Sequence, residues 1–326
     1  MMGQREILSR IKERLTADID RYLAGDKAAY LYKCRHTERY GDTDENRIAR
    51  LRLVYGLQFG VRELPENERE QMVRELFEQE VKACENESFQ GFGAGMEMLA
   101  DMMQKYRTSA DEELFTRAKN ANFDCWCGLM TDGGYNYPAS TDEYDIADSI
   151  YLAAELEMNE EVCALVDIFK ENGLEGEDFE KLRRFAKYTH RKEDREQAVR
   201  GCYERAFESE ITDENGKMRA LTAAEDMIGL LAEKGEVSAA EELFKKHTDV
   251  LTSANRRAFY TCALCIMQAD ESTRKRIWKY VKKNIRHSVR VGEFYSVCYG
   301  DIKNCAEIAG DGRYVRLMEM LMKKKW

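Results

Sequence analysis

Proline is almost absent from this sequence. Pro65 and Pro138 are the two prolines of its 326 residues, whereas average usage near 5% would supply about 16. Because proline removes a backbone donor and clashes with the preceding helical turn, its scarcity leaves long stretches free to form helix. We therefore predict helix everywhere except near these two residues.

Long apolar runs are lacking as well. No run approaches the roughly 20 residues that a helix needs to cross a bilayer, and the charged start MMGQREILSRIKERL is unlike a signal peptide. We expect no membrane span and a protein that stays in the compartment where it is made. The composition, 44% hydrophobic and 34% charged, supplies both a core and a wet surface and argues against disorder.

The cysteines show no spacing typical of a disulfide framework. A secreted chain of this size would not normally carry ten thiols without one, and free cysteine behaves as a small buried hydrophobe. Most of them lie in apolar helical patterns, so we expect structural thiols in a reducing cytoplasm. Their positions are Cys34, Cys84, Cys125, Cys127, Cys163, Cys202, Cys262, Cys265, Cys298 and Cys305.

Amphipathic segments alternate with breaks about every forty residues. In the first segment Ile7, Ile11, Leu15 and Ile19 recur at i+4, which predicts a buried helical stripe. The length of the chain allows two globular domains or one elongated array. The intervals between breaks, about 34 to 50 residues, fit two helices with short turns. They favour one array of eight hairpins over residues 1–326. The breaks are Gly25-Asp26, Leu64-Pro65-Glu66, Thr108-Ser109, Met158-Asn159, Lys192-Glu193-Asp194, Lys234-Gly235, Ala269-Asp270 and Gly310-Asp311-Gly312.

Three of these hairpins carry tetratricopeptide-like positions. In DMIGLLAEKGEVSAAEELFKK the small Ala240 would let two helices cross at roughly 8 to 10 Å. The segments resemble tetratricopeptide repeats, which implies an all-α superhelix, an α-solenoid of stacked antiparallel helical hairpins. The alternative is an irregular helical bundle. The matching residues are Leu231, Gly235, Val237, Ala240 and Phe244, then Ile308, Gly312, Tyr314, Leu317 and Leu321, then Asn159, Ala164 and Ile168.

Motifs that would indicate a cofactor, a metal or catalysis lack their context. The segment QGFGAG at 90–95 has the wrong glycine spacing for a dinucleotide fingerprint and follows a charged helical segment, so we interpret it as close helix packing or a loosened turn. Neither Cys125 with Cys127 nor Cys262 with Cys265 has a second ligand pair for zinc nearby in sequence. We expect no metal, no cofactor and no catalytic residue. The isolated histidines are expected to be exposed: His36, His190, His247 and His287.

A loop insertion near residues 127–141, CGLMTDGGYNYPAST, lacks a helical pattern. Its Asp-Gly-Gly and Pro138 predict turns. Aromatic side chains on a loop are a common recognition surface, because they bury a large area at little rotamer cost. The alternative is a loop folded back onto its own repeat. The aromatic candidates in or beside it are Trp126, Tyr135, Tyr137 and Tyr144.

Charge is divided unevenly along the chain. Residues 252–326 carry 16 Lys and Arg against 7 Asp and Glu, a net charge of +9, which leaves −19 for residues 1–251. The segment STRKRIWKYVKKNIRHSVR predicts a helix with an apolar stripe of Ile277, Val281, Ile285 and Val289. Its other stripe could bind an acidic protein, nucleic-acid phosphate or the acidic part of a second copy, or be a merely solvated face. That basic stripe comprises Lys275, Lys279, Lys282, Arg286 and Arg290.

The predicted architecture favours binding over catalysis, because repeat arrays present extended surfaces. We expect a non-catalytic scaffold that binds a protein or peptide, without a membrane partner and with homo-oligomerisation as one option. The alternative is a nucleic-acid-associated or regulatory module that uses the basic C-terminal helices. An enzyme with a dispersed site is the third hypothesis, since such a site leaves no local motif.

Overall fold

Helices dominate the structure. A computed structural model describes residues 3–88, 90–208, 213–253 and 256–323. It is 74% helix, with seventeen α-helices and two short strands among those residues, which confirms the predicted all-α class. Contacts divide the chain into two compact units, Met1–Gly173 (unit 1) and Leu174–Trp326 (unit 2). The single array over residues 1–326 remains a prediction.

Unit 1 is built from eight helices and one β-hairpin within its described residues. Helix α1 contacts α2, α7 and α8, and α3 contacts α2, α4 and α5. The elements are α1 Gln4–Leu23, β1 Cys34–Thr37, β2 Gly41–Asp44, α2 Arg47–Gln58, α3 Glu66–Asn86, α4 Ala94–Gln104, α5 Glu112–Asn120, α6 Phe123–Gly128, α7 Ile146–Glu155 and α8 Asn159–Glu171.

The predicted stripe of α1 is confirmed. Ile7, Ile11, Leu15 and Ile19 are all fully buried, because i+4 spacing aligns them on one face of the helix. Helix α2 approaches this face closely, and a β-carbon on Gly56 would lie 2.9 Å from Cδ1 of Ile19. The sequence pattern and the packing therefore agree from the first helix onward.

A β-hairpin at residues 34–44 contradicts the prediction of helix throughout this region. Its strands pair antiparallel, from Cys34 opposite Asp44 to Thr37 opposite Gly41. The segment has no apolar residue at helical spacing to bury, and Gly41 has φ +71°, a conformation that favours glycine. Ser88, just after α3, donates from its amide to the Asp42 carbonyl at 2.9 Å. The interval 25–65 therefore holds a hairpin and one helix, not two helices.

Unit 2 contains helices and no strand among its described residues. From α9 to α12 each helix contacts the next one along the chain. Likewise, α14 contacts α15, and α16 contacts α17. In addition, α14 packs against both α11 and α16. The elements are α9 Asp178–Thr189, α10 Lys192–Ala206, α11 Glu214–Glu233, α12 Val237–Lys246, α13 Thr248–Leu251, α14 Arg257–Ala269, α15 Arg274–Val291, α16 Tyr299–Ile308 and α17 Gly312–Lys323.

The eight predicted breaks all lie at or beside helix boundaries. Gly235, between α11 and α12, has φ +75°, which explains why glycine stands at this turn. Ala240 is fully buried beside Phe244, as the tetratricopeptide-like register predicts. In the last hairpin the predicted register fails at Leu317, which is 39% exposed while its neighbour Met318 is buried, although Tyr314 and Leu321 of the same register pack against the core.

Candidate functional site

The basic helix predicted in the C-terminal part is α15 in unit 2. It packs on the unit through Ile277, Trp278, Val281 and Ile285, which are buried. Val289, predicted to continue this stripe, is instead 58% exposed, because at 100° per residue its neighbour Ser288, which is fully buried, continues the stripe in the last turn. Residues 254–255 and 324–326 of the predicted basic part lie outside the described residues.

Four of the five predicted basic residues project into solvent, and Lys282 does not. Its ammonium lies 3.2 Å from a carboxylate oxygen of Asp311 and over the rings of Trp278 and Tyr314. Lys283, which the sequence reasoning left out, is exposed in its place. A turn of 100° per residue could have found it, since it puts Lys283 beside Lys279 and puts Lys282 next to the buried stripe.

We call the exposed cations of α15 the basic face. They fall within an arc of about 80° and extend over about 22 Å of the helix, from 3.6 residues per turn and a rise of 1.5 Å per residue. No ion pair joins any of them to a residue that the structure describes. The basic face consists of Lys275, Lys279, Lys283, Arg286 and Arg290.

Neighbouring arginines on α15 do have partners. Arg274 contacts Glu271 at 2.9 Å. Arg276 donates two hydrogen bonds, of 2.7 and 2.5 Å, to the buried carboxylate of Glu241 on α12. These bonds, with one from Lys245, lower the pKa of Glu241 to about 2. Paired arginines thus fasten α15 to its unit, whereas the cations of the basic face remain available to a partner.

The loop near 127–141 is folded onto unit 1. The hydroxyl of Tyr137 bonds to Glu97, and Gln58 donates to the Tyr137 and Pro138 carbonyls at 3.2 and 3.1 Å. The amide of Met130 donates to the Tyr135 hydroxyl at 2.8 Å. Of these two tyrosines, both predicted to contact a partner, Tyr137 is therefore tied to the body of the unit, and Tyr135 is bonded within the loop itself.

The other two predicted aromatics differ from each other. The Tyr144 ring packs edge-on against Phe59, and burial raises the pKa of Tyr144 to about 12. Trp126 on α6 is 60% exposed, beside Phe123, which is 66% exposed, with the ring centroids 6.2 Å apart. Asn122 caps this short helix by accepting from the Cys125 amide at 2.9 Å. We call Phe123 and Trp126 the aromatic pair.

The glycine-rich segment 90–95 borders a cavity of about 420 Å³ in unit 1. The segment is extended before α4, with Gly93 as the N-cap at φ −118°. A β-carbon on Gly95 would meet ordinary contacts at 3.4 Å, so close packing does not explain the glycine there. Arg50 also lines the cavity; it is buried and bonds to Glu80 at 2.6 Å and to Asp44 at 2.5 Å.

Histidines and cysteines depart from expectation at three positions. His247 was expected to be exposed but is buried, and its ring lies 2.7 Å from the Tyr203 hydroxyl. Burial lowers the pKa of His247. Cys34 and Cys127 are exposed, although most cysteines are at least partly buried. Within the described ranges no three His, Cys, Asp or Glu side chains are placed to hold a metal ion.

Neither the apolarity of the helices nor the comparisons with known proteins add to these geometric observations. No helix among the residues described is both long and apolar enough to cross a bilayer. No protein-family model, curated protein or solved structure matches the chain. The basic face and the aromatic pair are the surfaces from which a function must be argued.

Proposed function

We propose that this protein is a non-catalytic protein-binding module that docks an acidic segment of a partner protein on the basic face. The observation that carries this proposal is five cations on one helical face without an ion pair to any described residue. Like charges at i,i+4 destabilise a helix by about 0.2–0.5 kcal/mol per pair. Carboxylates of a partner would remove that repulsion.

The surroundings of the basic face favour a protein partner. Val289 and Val291, in the last turn of α15, are 58% and 47% exposed. They flank the cations, so a segment that combines acidic and apolar side chains fits both. The phosphate backbone of a nucleic acid offers no apolar surface against which the valines would be buried. The chain's net charge of −10 makes such an association depend on local complementarity at α15.

The proposed architecture is a tetratricopeptide-like stack of helical hairpins in unit 2. Its support is that α14 packs against both α11 and α16. Each of these two is the first helix of a tetratricopeptide-like hairpin, α11 with α12 and α16 with α17. The proposed compartment is the reducing cytoplasm, supported by ten cysteines whose spacing is not typical of a disulfide framework. In such a stack, a helix at the surface presents one face continuously to a partner.

The aromatic pair is a second proposed contact surface. Aromatic residues are common among the side chains that dominate the binding energy of protein interfaces. The two rings of this pair are adjacent and mostly exposed. Replacing both Phe123 and Trp126 by Ala should weaken a partner that docks there by about 2 kcal/mol or more. Folding should hardly change, since neither ring is buried.

The decisive experiment reverses the charge of the basic face. Lys275, Lys279 and Lys283 are replaced together by Glu, and the partner that co-purifies with the tagged wild type is identified and titrated. We expect this variant to lose the partner while its circular dichroism is unchanged, because the buried face of α15 is untouched. The matched control reverses three exposed lysines outside the face and must retain the partner: Lys187, Lys192 and Lys246.

Salt dependence distinguishes protein binding from the second candidate function, nucleic-acid binding. If phosphate is the ligand, the wild type retains RNA or DNA at low salt, and each lost contact lowers the salt slope by roughly 0.7 to 0.9. If a second copy is the partner, light scattering finds an oligomer that the reversal dissociates. Equal retention of one identified protein by wild type and face variant would overturn the proposal.

A further inference from the structure

A hollow of about 470 Å³ lies between α9, α10 and α11 in unit 2. Five cationic side chains line it, against two carboxylates, Glu177 and Glu180. The hollow thus has an excess of positive charge in a chain whose net charge is −10. It shares no residue with the basic face of α15. The cations are Lys181, Arg183, Arg184, Arg205 and Arg219.

Some of these cations are neutralised by nearby carboxylates. Arg183 contacts Glu180 and Asp226, each at 3.0 Å. Lys181 contacts Asp178 at 3.3 Å. The pair of Arg183 and Asp226 joins α9 to α11, and the other two pairs lie within α9. Together they leave little charge to a ligand.

The remaining three guanidinium groups are poorly compensated. Arg205 reaches Glu177 only at 3.9 Å, and that carboxylate is 83% exposed, so solvent screens the pair. Arg184 and Arg219 are exposed and form no ion pair with any residue that the structure describes. The three come from three different helices, so they can approach one ligand from different sides.

Guanidinium groups favour a particular ligand. Each planar fork donates two parallel hydrogen bonds to a phosphate or carboxylate, which a lysine cannot do. Thr222 and Asn215 add neutral polar groups to the walls, and the exposed Met218 adds apolar surface. A single phosphate would fill little of this volume, which lies in the range of small-molecule sites.

We propose that this hollow binds a small organic polyphosphate of nucleotide size. Arg184, Arg205 and Arg219 hold the phosphoryl oxygens, and the wall around Met218 contacts the organic part. The proposal is independent of the protein partner at the basic face, because the two sites lie on different helices.

The test measures binding of three probes to the full chain by calorimetry and by the shift in melting temperature. We expect ATP and inorganic tripolyphosphate to bind and to raise the melting temperature, because a ligand of the native state stabilises it by mass action. Adenosine should do neither. Tighter binding of ATP than of tripolyphosphate is expected if the wall around Met218 contacts the organic part, and equal binding of the two would overturn that contact.

Two variants locate the site. Replacing Arg184 and Arg219 together by Ala should weaken both phosphate probes by about tenfold or more, since a charge-assisted hydrogen bond contributes about 1.5–3 kcal/mol. Both arginines are exposed, so circular dichroism should be unchanged. The control replaces Lys187 and Lys246, exposed lysines outside the hollow, and should bind as the wild type does.

Several results would overturn the proposal. One is the absence of heat and of any thermal shift with both phosphate probes. Another is equal affinity of the wild type and the arginine variant. Loss of binding in the variant of Lys275, Lys279 and Lys283, with the arginine variant unaffected, would move phosphate to the basic face and leave the hollow without a ligand.

Discussion

At the scale of the residue, Arg50 is a costly charge in unit 1. Its side chain is fully buried, and so is that of its partner Asp44, while Glu80 is almost so. Arg50 also donates to the Tyr30 carbonyl at 3.4 Å. Such a cluster persists only because each charge compensates another, and removal of the arginine would leave two carboxylates without a cation in a poorly solvated place.

We therefore predict that Arg50→Ala lowers the free energy of unfolding by about 3–5 kcal/mol. Urea denaturation of the full chain measures this. Arg47→Ala is the control, one helical turn earlier and exposed, and should change stability by less than about 0.5 kcal/mol. If both variants unfold at the wild-type urea concentration, water reaches the carboxylates and the cluster has no structural role.

A buried base gives unit 2 a pH dependence. His247 lies against Tyr203 and Phe207, and burial, followed by the charge of Lys246, lowers its pKa from the ordinary value of 6.5. The unfolded chain therefore binds this proton at a higher pH than the folded chain. The stability that His247 contributes is present above about pH 6.5 and is lost as the pH falls below it.

We predict that this loss is smaller in His247→Gln, because glutamine does not titrate. Urea midpoints between pH 7 and 5 measure the difference relative to the wild type, and His287→Gln, at an exposed position of α15, is the control. A His247→Gln protein whose midpoint falls with acid as steeply as that of the wild type would contradict the assignment.

At the scale of the element, glycine decides how closely α9 and α10 approach. A β-carbon on Gly201 of α10 would overlap the ring of Phe179 on α9. We predict that Gly201→Ala destabilises the protein by about 1 kcal/mol or more, because overpacking outweighs the gain in helix propensity. Gly229→Ala in α11 meets no atom within 4 Å and should instead stabilise by about 0.5–1 kcal/mol. Equal effects of the two substitutions on the urea midpoint would show that α9 yields freely.

Periodicity found the elements better than it found their partners. The stripe of α1, and that of α15 as far as Ile285, follow from spacing alone, because burial of apolar side chains at i+4 is local to one helix. The hydroxyl of Tyr137 was beyond such reasoning, since its partner Glu97 stands 40 residues earlier on α4. The strands at 34–44 were missed because their side chains face solvent or are half-buried and carry no apolar alternation.

At the scale of the whole molecule, the division after Gly173 predicts that the two units fold independently. The segment from 171 to 177 is mostly exposed and contains Gly173 and Gly176, both at positive φ. Each unit has a buried core of its own, from Ile7 and Phe77 in unit 1 to Phe244 and Phe259 in unit 2. A unit with its own core is expected to fold without the rest of the chain.

We predict that residues 1–173 and residues 174–326, produced separately, are each soluble, strongly helical by circular dichroism and cooperative in urea. The matched control divides the chain after residue 190, which separates α9 from α10. The C-terminal fragment of that control exposes the face of α10 around Gly201 that α9 covers, so it should aggregate or unfold at lower urea than residues 174–326. If residues 174–326 are unfolded alone while the full chain is folded, the units do not fold independently, and the boundary after Gly173 marks contacts only.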